Sequence, residues 1–155
     1  MKSRNLFNEE QNLFKETVQR FIEKDIKPYH QNWEKDGLVP KEIWQKAGNA
    51  GILCPNVPEE FGGVGGDFRY NVIITEALAH AGATGPGFAV HSDIVAPYFI
   101  NYGTNEQKNN WLPKMIKGET ITAIAMTEPG TGSDLQNIKT NLTKTTNELI
   151  LNGSK

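Results

Sequence analysis

The stretch Ile121-Thr-Ala-Ile-Ala-Met-Thr127-Glu128-Pro129-Gly130-Thr131-Gly132-Ser133-Asp134 limits what this chain can fold into more than any other. Ile121 to Met126 is aliphatic and β-branched, and Pro129 stops it, so the run predicts a buried strand. The Pro-Gly-Thr-Gly-Ser run after it must be a turn. Glycines at 130 and 132 permit positive φ and close backbone approach, so several N–H groups can converge on an anion or an acceptor ring. The hydroxyls of Thr127, Thr131 and Ser133 add donors at the same place. A strand followed by a glycine-rich turn is also a common structural device, and the residues alone leave both readings open.

Upstream, apolar residues recur at helical spacing. Asn8 to Gln11 has the form of a capping box, ahead of a face made by Leu13, Phe14, Val18, Phe21, Ile22 and Ile26. Pro28 is expected to end or bend that helix. Pro40 opens a short helix with Ile43, Trp44 and Ala47 inward, closed by Gly51. Pro55 to Gly66 reads as a loop, and no Gly-Lys-Ser/Thr follows its glycines, which argues against a phosphate-loop nucleotide binder. Asp67 caps a third helix with Ile73, Ile74, Ala77, Leu78 and Ala81 on one face. A fourth face runs through His91, Ile94, Val95, Tyr98, Phe99 and Tyr102, with Pro97 as a kink. His91 on that face reads as a hydrogen-bonded core histidine. Thr104 to Gln107 is a second capping box, opening a fifth helix with Trp111, Leu112, Met115 and Ile116 that Pro113 interrupts and Gly118 stops.

From residue 120 the pattern changes to strands: Ile121–Thr127, then Ile138–Lys144 and Leu149–Lys155 around a turn at Thr145-Thr-Asn147. Helices followed by strands without alternation predict an all-α N-terminal domain of about five helices at 1–119 and a separate β domain at 120–155. Three short strands leave little sheet to bury, so the β part is expected to be incomplete and the sequence a truncated, N-terminal part of a longer protein.

Bulk properties narrow the classes. The 155 residues, 37% hydrophobic and 22% charged, suit a globular protein that buries a sizeable core. A formal charge of −2 with no basic block gives no nucleic-acid footprint. Cys54 is the single cysteine, and His30, His80 and His91 lie far apart, so neither a disulfide nor a metal-ligand spacing is present. No run approaches the roughly 18 apolar residues of a membrane span, and the start lacks an apolar signal core. An intracellular protein is expected.

The residues Ala125-Met126-Thr127-Glu128-Pro129-Gly130-Thr131-Gly132-Ser133-Asp134 resemble the signature of the acyl-CoA dehydrogenase family. Gly85-Pro-Gly-Phe-Ala-Val-His-Ser92, Tyr102-Gly-Thr-Asn-Glu-Gln107 and Leu151-Asn-Gly-Ser-Lys155 are similar to its long-chain branch. The likeness covers the chain from about Leu6 onwards. Thr131 departs from it by standing where the family has a smaller residue, which puts bulk beside the expected cofactor. Asn137 stands where the family has Gly, Ser or Ala.

The resemblance implies that the 120–155 segment begins a β-barrel-like middle domain, that a second helical domain follows, and that FAD lies between them. Ile124, Ala125, Met126, Thr127, Gly132 and Ser133 would then bind the cofactor. Thr127 would hydrogen-bond the flavin, and Ser133 would reach the pyrophosphate or the acyl-CoA substrate. The implied reaction is α,β-dehydrogenation of a fatty acyl-CoA thioester, with electrons leaving to an electron-transfer flavoprotein. No catalytic base is assigned within the chain; the family's lies beyond residue 155, and Glu128 reads as a structural acceptor. A homotetramer in the bacterial cytoplasm or the mitochondrial matrix is implied for the complete protein, with the 155 residues alone inactive. An acyl-CoA oxidase of the same fold and a non-catalytic helical module remain as alternatives.

Overall fold

In the structure, a computed structural model that describes residues 6–155, Asn8 caps the first helix through a reciprocal pair of bonds. Its side chain accepts the Gln11 N–H at 2.8 Å, and Gln11 Oε1 accepts the Asn8 N–H at 3.1 Å. Helix α1 (Glu9–Phe21) then runs without a break through a π turn (Ile22–Ile26) into α2 (Lys27–Asp36). Pro28 therefore neither ends the helix nor stands alone as its disturbance. Lacking an N–H and crowding the turn before it, the proline is accommodated by the wider π turn immediately upstream. Gly37, at φ +69°, terminates α2 in the left-handed region.

Helices α3 (Lys41–Asn49) and α4 (Phe68–His80) follow, the latter capped by Asp67, whose side chain accepts the Arg69 N–H at 2.9 Å. A second π turn (Val90–Val95) leads into α5 (Ala96–Tyr102), again just ahead of a proline, Pro97. Helix α6 (Asn105–Ile116) opens on the Thr104–Gln107 capping box and continues past Pro113. Because α1 and α2 form one continuous rod, the six α-helices among the described residues make five rods.

Of the described residues, those up to Ala123 form one compact unit and Ile124–Lys155 another. The core of the first is built from Val18, Phe21, Ile22 and Ile26 of the long rod, Ile43, Trp44 and Ala47 of α3, and Ile73 and Ile74 of α4. Ala83, Phe88 and the loop residues Ile52 and Leu53 complete it. Trp44 is the hub, edge-on to Phe88 at 4.9 Å and to His91 at 5.3 Å between ring centres. Beside it the backbones touch: a Cβ on Gly118 would stand 2.2 Å from the Trp44 carbonyl oxygen, and one on Gly48 would stand 2.4 Å from the Lys117 carbonyl carbon. Only glycine lets α3 and the end of α6 come this close.

The first half of the loop from Gly51 to Gly66 is buried, at Ile52 to Pro55 and Val57. Cys54 is 1% exposed at φ +51°, and its N–H donates to Ser92 Oγ at 3.0 Å. Several expected core positions lie outside this packing: Leu13, Ile94, Tyr98, Tyr102 and Trp111 are exposed. Leu13 is displaced because the buried stripe of α1 passes through Gln11, Val18 and Phe21.

The second unit contains an antiparallel hairpin, β1 (Asn141–Lys144) with β2 (Leu149–Asn152), in the register Asn141↔Asn152 to Lys144↔Leu149. Both strands are shorter than their apolar runs predict, and Leu142, Leu149 and Leu151 remain exposed, because two strands enclose no face. The strand expected at 121–127 does not form. An apolar β-branched run becomes a strand only when a neighbour accepts its backbone bonds, and no described residue pairs with it. No helix among the described residues is long and apolar enough to cross a membrane.

Candidate functional site

The residues singled out by sequence lie in the second unit, on a framework organised by Glu128. Its main-chain N–H and carbonyl bond those of Thr131 at 2.9 and 3.0 Å, closing Pro129 and Gly130 into a tight turn. Its carboxylate points inward. Oε2 accepts the Lys139 N–H at 2.8 Å, and Oε1 accepts both the Thr140 N–H at 3.0 Å and the Lys155 ammonium at 3.1 Å. Lys155 Nζ also donates to the Met126 carbonyl oxygen at 2.9 Å. Thr140, then the Lys139 N–H and the Lys155 ammonium, hold the Glu128 carboxyl down at about 2. A carboxylate so surrounded is a hydrogen-bond acceptor that ties the turn to residues 139, 140 and 155.

This arrangement carries a pH dependence whose sign follows from the depressed value. Stabilisation by Glu128 is fully present above its ordinary 4.5 and is lost as pH falls through about 2. The Lys139 and Thr140 amide resonances are expected to hold steady from pH 7 to 5 and to titrate with a midpoint near 2. A midpoint near 4.5 would mean that the carboxylate is not bonded as described.

Around this framework Ile124 is half-buried, while Ala125, Met126, Thr127, Gly132 and Ser133 are exposed. The Thr127 N–H, carbonyl and hydroxyl have no hydrogen-bond partner among the described residues. Two expectations are corrected here. Gly130 and Gly132 do not take positive φ, and a Cβ on either would meet nothing within 4 Å. The protein's own packing therefore does not require glycine at either place. Thr131 is not a donor on the open side, nor does it crowd it: the side chain is buried and its hydroxyl donates to the Asn137 carbonyl at 3.0 Å. Asn137 in turn donates to the Asp134 carboxylate. Lys139, Thr140 and Lys155 went unnoticed in the sequence, where nothing but the Asn152-Gly-Ser-Lys155 ending hinted that one of them mattered.

Reactive groups elsewhere are committed to packing. Thr122 N–H donates to His91 Nδ1 at 3.3 Å, which leaves the ring proton on Nε2, donated to the Met115 carbonyl at 3.1 Å. Burial pushes the His91 pKa down, so the ring is neutral. Burial likewise pushes the Cys54 thiol up to about 12. The described residues hold no group of three His, Cys, Asp or Glu side chains able to hold a metal ion.

Comparison with known proteins places the chain in a family. The profile of the acyl-CoA dehydrogenase N-terminal domain matches residues 8–119, and the chain belongs to that family. It is 49% identical over 152 residues to the mitochondrial long-chain specific acyl-CoA dehydrogenase of Rattus norvegicus, covering 98% of this chain and 35% of the rat protein. Among solved structures, an acyl-CoA dehydrogenase from Geobacillus kaustophilus superposes with a TM-score of 0.88 at 48% identity, covering 96% of this chain and 39% of that one. An acyl-CoA dehydrogenase from Bacillus anthracis, complexed with FAD, gives 0.87 at 31% identity, covering 97% of this chain and 26% of that one. The chain thus spans about a third of the length of the curated relative it matches.

Proposed function

We propose that the chain is the N-terminal part of an FAD-dependent acyl-CoA dehydrogenase that introduces an α,β double bond into a fatty acyl-CoA thioester. The observation that carries this reading is the unpartnered Thr127, set beside a Glu128 whose own groups are all engaged. An exposed N–H and hydroxyl next to exposed Ala125 and Met126 fit the polar edge and flat face of a flavin. Gly132 and Ser133, with open space at the glycine, fit a phosphate-bearing ligand. FAD complexed with the Bacillus anthracis relative supports the same ligand here.

Bound FAD supplies an acceptor for a hydride. The residues of this chain orient and stabilise. Thr127 would donate to the ring edge where electron density develops, and preplaced donors are worth most where charge appears. Met126 and Ala125 would line the ring. Ser133 would donate to the pyrophosphate or to the acyl-CoA. The proton-abstracting carboxylate is contributed from outside these residues, since Glu128 is fully bonded. Electron-transfer flavoprotein as acceptor and a homotetrameric assembly complete the proposal.

The test is the visible spectrum of the protein expressed from its complete reading frame. Flavin absorbance that bleaches on adding a fatty acyl-CoA is expected, while a folded, colourless protein would overturn the reading. Oxygen consumption without transfer to electron-transfer flavoprotein would instead assign an oxidase. The 155 residues alone are expected to give no acyl-CoA turnover.

A further inference from the structure

Lys155 joins two groups that matter for different reasons. Its ammonium donates to Glu128 Oε1, which ties it to the framework of the turn, and to the Met126 carbonyl oxygen. That carbonyl shares a peptide unit with the Thr127 N–H. In a planar trans peptide the C=O and the N–H point in opposite directions, and no described peptide is cis. A cation held on the Met126 oxygen therefore lies behind the Thr127 N–H and draws electron density away from it. Hydrogen bonds along a chain strengthen one another, by roughly 10–30% per bond. A full positive charge at one end acts in the same direction and more strongly.

From this geometry we infer that Lys155 is a positioning residue that fixes the Met126–Thr127 peptide and polarises the Thr127 N–H toward its ligand. The side chain is suited to the task. Of three ammonium donors, one is anchored by Glu128, whose carboxylate is itself fixed by the Lys139 and Thr140 N–H groups, so the cation is held beside the Met126 oxygen. The chain consequently links residues 126–131, 139–140 and 155 into one unit, while leaving Thr127 itself unbonded and exposed. Applied to the flavin, an inference that rests on the proposed function, the polarised N–H stabilises the electron-rich reduced ring more than the oxidised one. Lys155 then raises the flavin's reduction potential without touching it.

Three variants separate the possibilities. Lys155→Met removes donor and charge, Lys155→Gln keeps a donor without charge, and Lys155→Arg keeps both. In the complete protein before flavin is added, the Thr127 amide proton is expected to move upfield in Lys155→Met and in Lys155→Gln, and to recover in Lys155→Arg. An unmoved resonance in Lys155→Gln would overturn the polarising role, whatever the flavin does. In the flavin-loaded complete protein, Lys155→Met is expected to weaken FAD binding and to shift the reduction potential negative, with Lys155→Arg restoring both. A shifted amide with an unchanged potential would overturn the link to the flavin while leaving the peptide clamp standing. A wild-type protein without flavin would overturn the functional reading instead, and the amide shift would still report on the clamp. Should Lys155→Met melt early, the Gln and Arg pair carries the comparison, since both keep a hydrogen-bond donor at position 155 and differ in charge.

Discussion

Trp44→Ala is expected to lower the unfolding free energy of the helical unit by about 3–5 kcal/mol, as large-to-small changes of buried aromatics do. The indole is 8% exposed and stands edge-on to both Phe88 and His91, so its loss leaves two rings facing a void. Neither neighbour can follow it inward: His91 is fixed by the Met115 carbonyl and Thr122, and Phe88 is itself buried. Domains of this size are stable by only about 5–15 kcal/mol, so the variant should unfold at a far lower urea concentration. A loss under about 1 kcal/mol would show that the cluster collapses around the vacancy and that Trp44 is not its hub.

Gly118→Ala acts on the same place through the backbone. The added Cβ would stand 2.2 Å from the Trp44 carbonyl oxygen, and the residue would have to hold φ +68°. The left-handed conformation costs a non-glycine residue about 1–2 kcal/mol. Overpacking adds about 1–3 kcal/mol more, and here the obstacle is main chain, which cannot rotate aside. Calorimetry should show a lower melting temperature for Gly118→Ala than for Gly37→Ala, where the same strain meets open space. Equal losses at the two positions would mean that φ alone sets the cost and that the contact between α3 and α6 gives way freely.

The helices were legible because their signals are local. Both capping boxes form as Asn8–Gln11 and Thr104–Gln107 predict, and Ile43, Trp44 and Ala47 are buried on one face. The fourth helix was read only in part: His91 and Val95 are buried as expected, but Ile94, Tyr98 and Tyr102 are exposed, and Ser92 and Ala96 take the inside instead. The π turn Val90–Val95 winds more residues into a turn than the 3.6-residue pattern assumes, which rotates the inward face away from the expected one. Pro97 was visible in the sequence, but not that the chain would absorb it by widening the turn before it.

In the candidate site, the 125–134 motif could be found because it is contiguous. The bonds that shape it could not. Glu128 reaches Lys139, Thr140 and Lys155, eleven or more positions away, and no local periodicity encodes such a contact. The strand expected at 121–127 failed for the same reason, since strand character depends on a partner that propensity does not specify.

The burial of Cys54 gives this protein a built-in clock. It is the only thiol, and with 1% exposure and a pKa near 12 it is closed to alkylating reagents in the folded state. Labelling must wait until the Gly51–Gly66 loop lifts from Ser92, so with reagent fast enough to outpace reclosing the rate of thiol modification counts openings of the helical unit. No probe has to be introduced, and changes in that rate with temperature or a bound ligand would read out the breathing of the fold from its own interior.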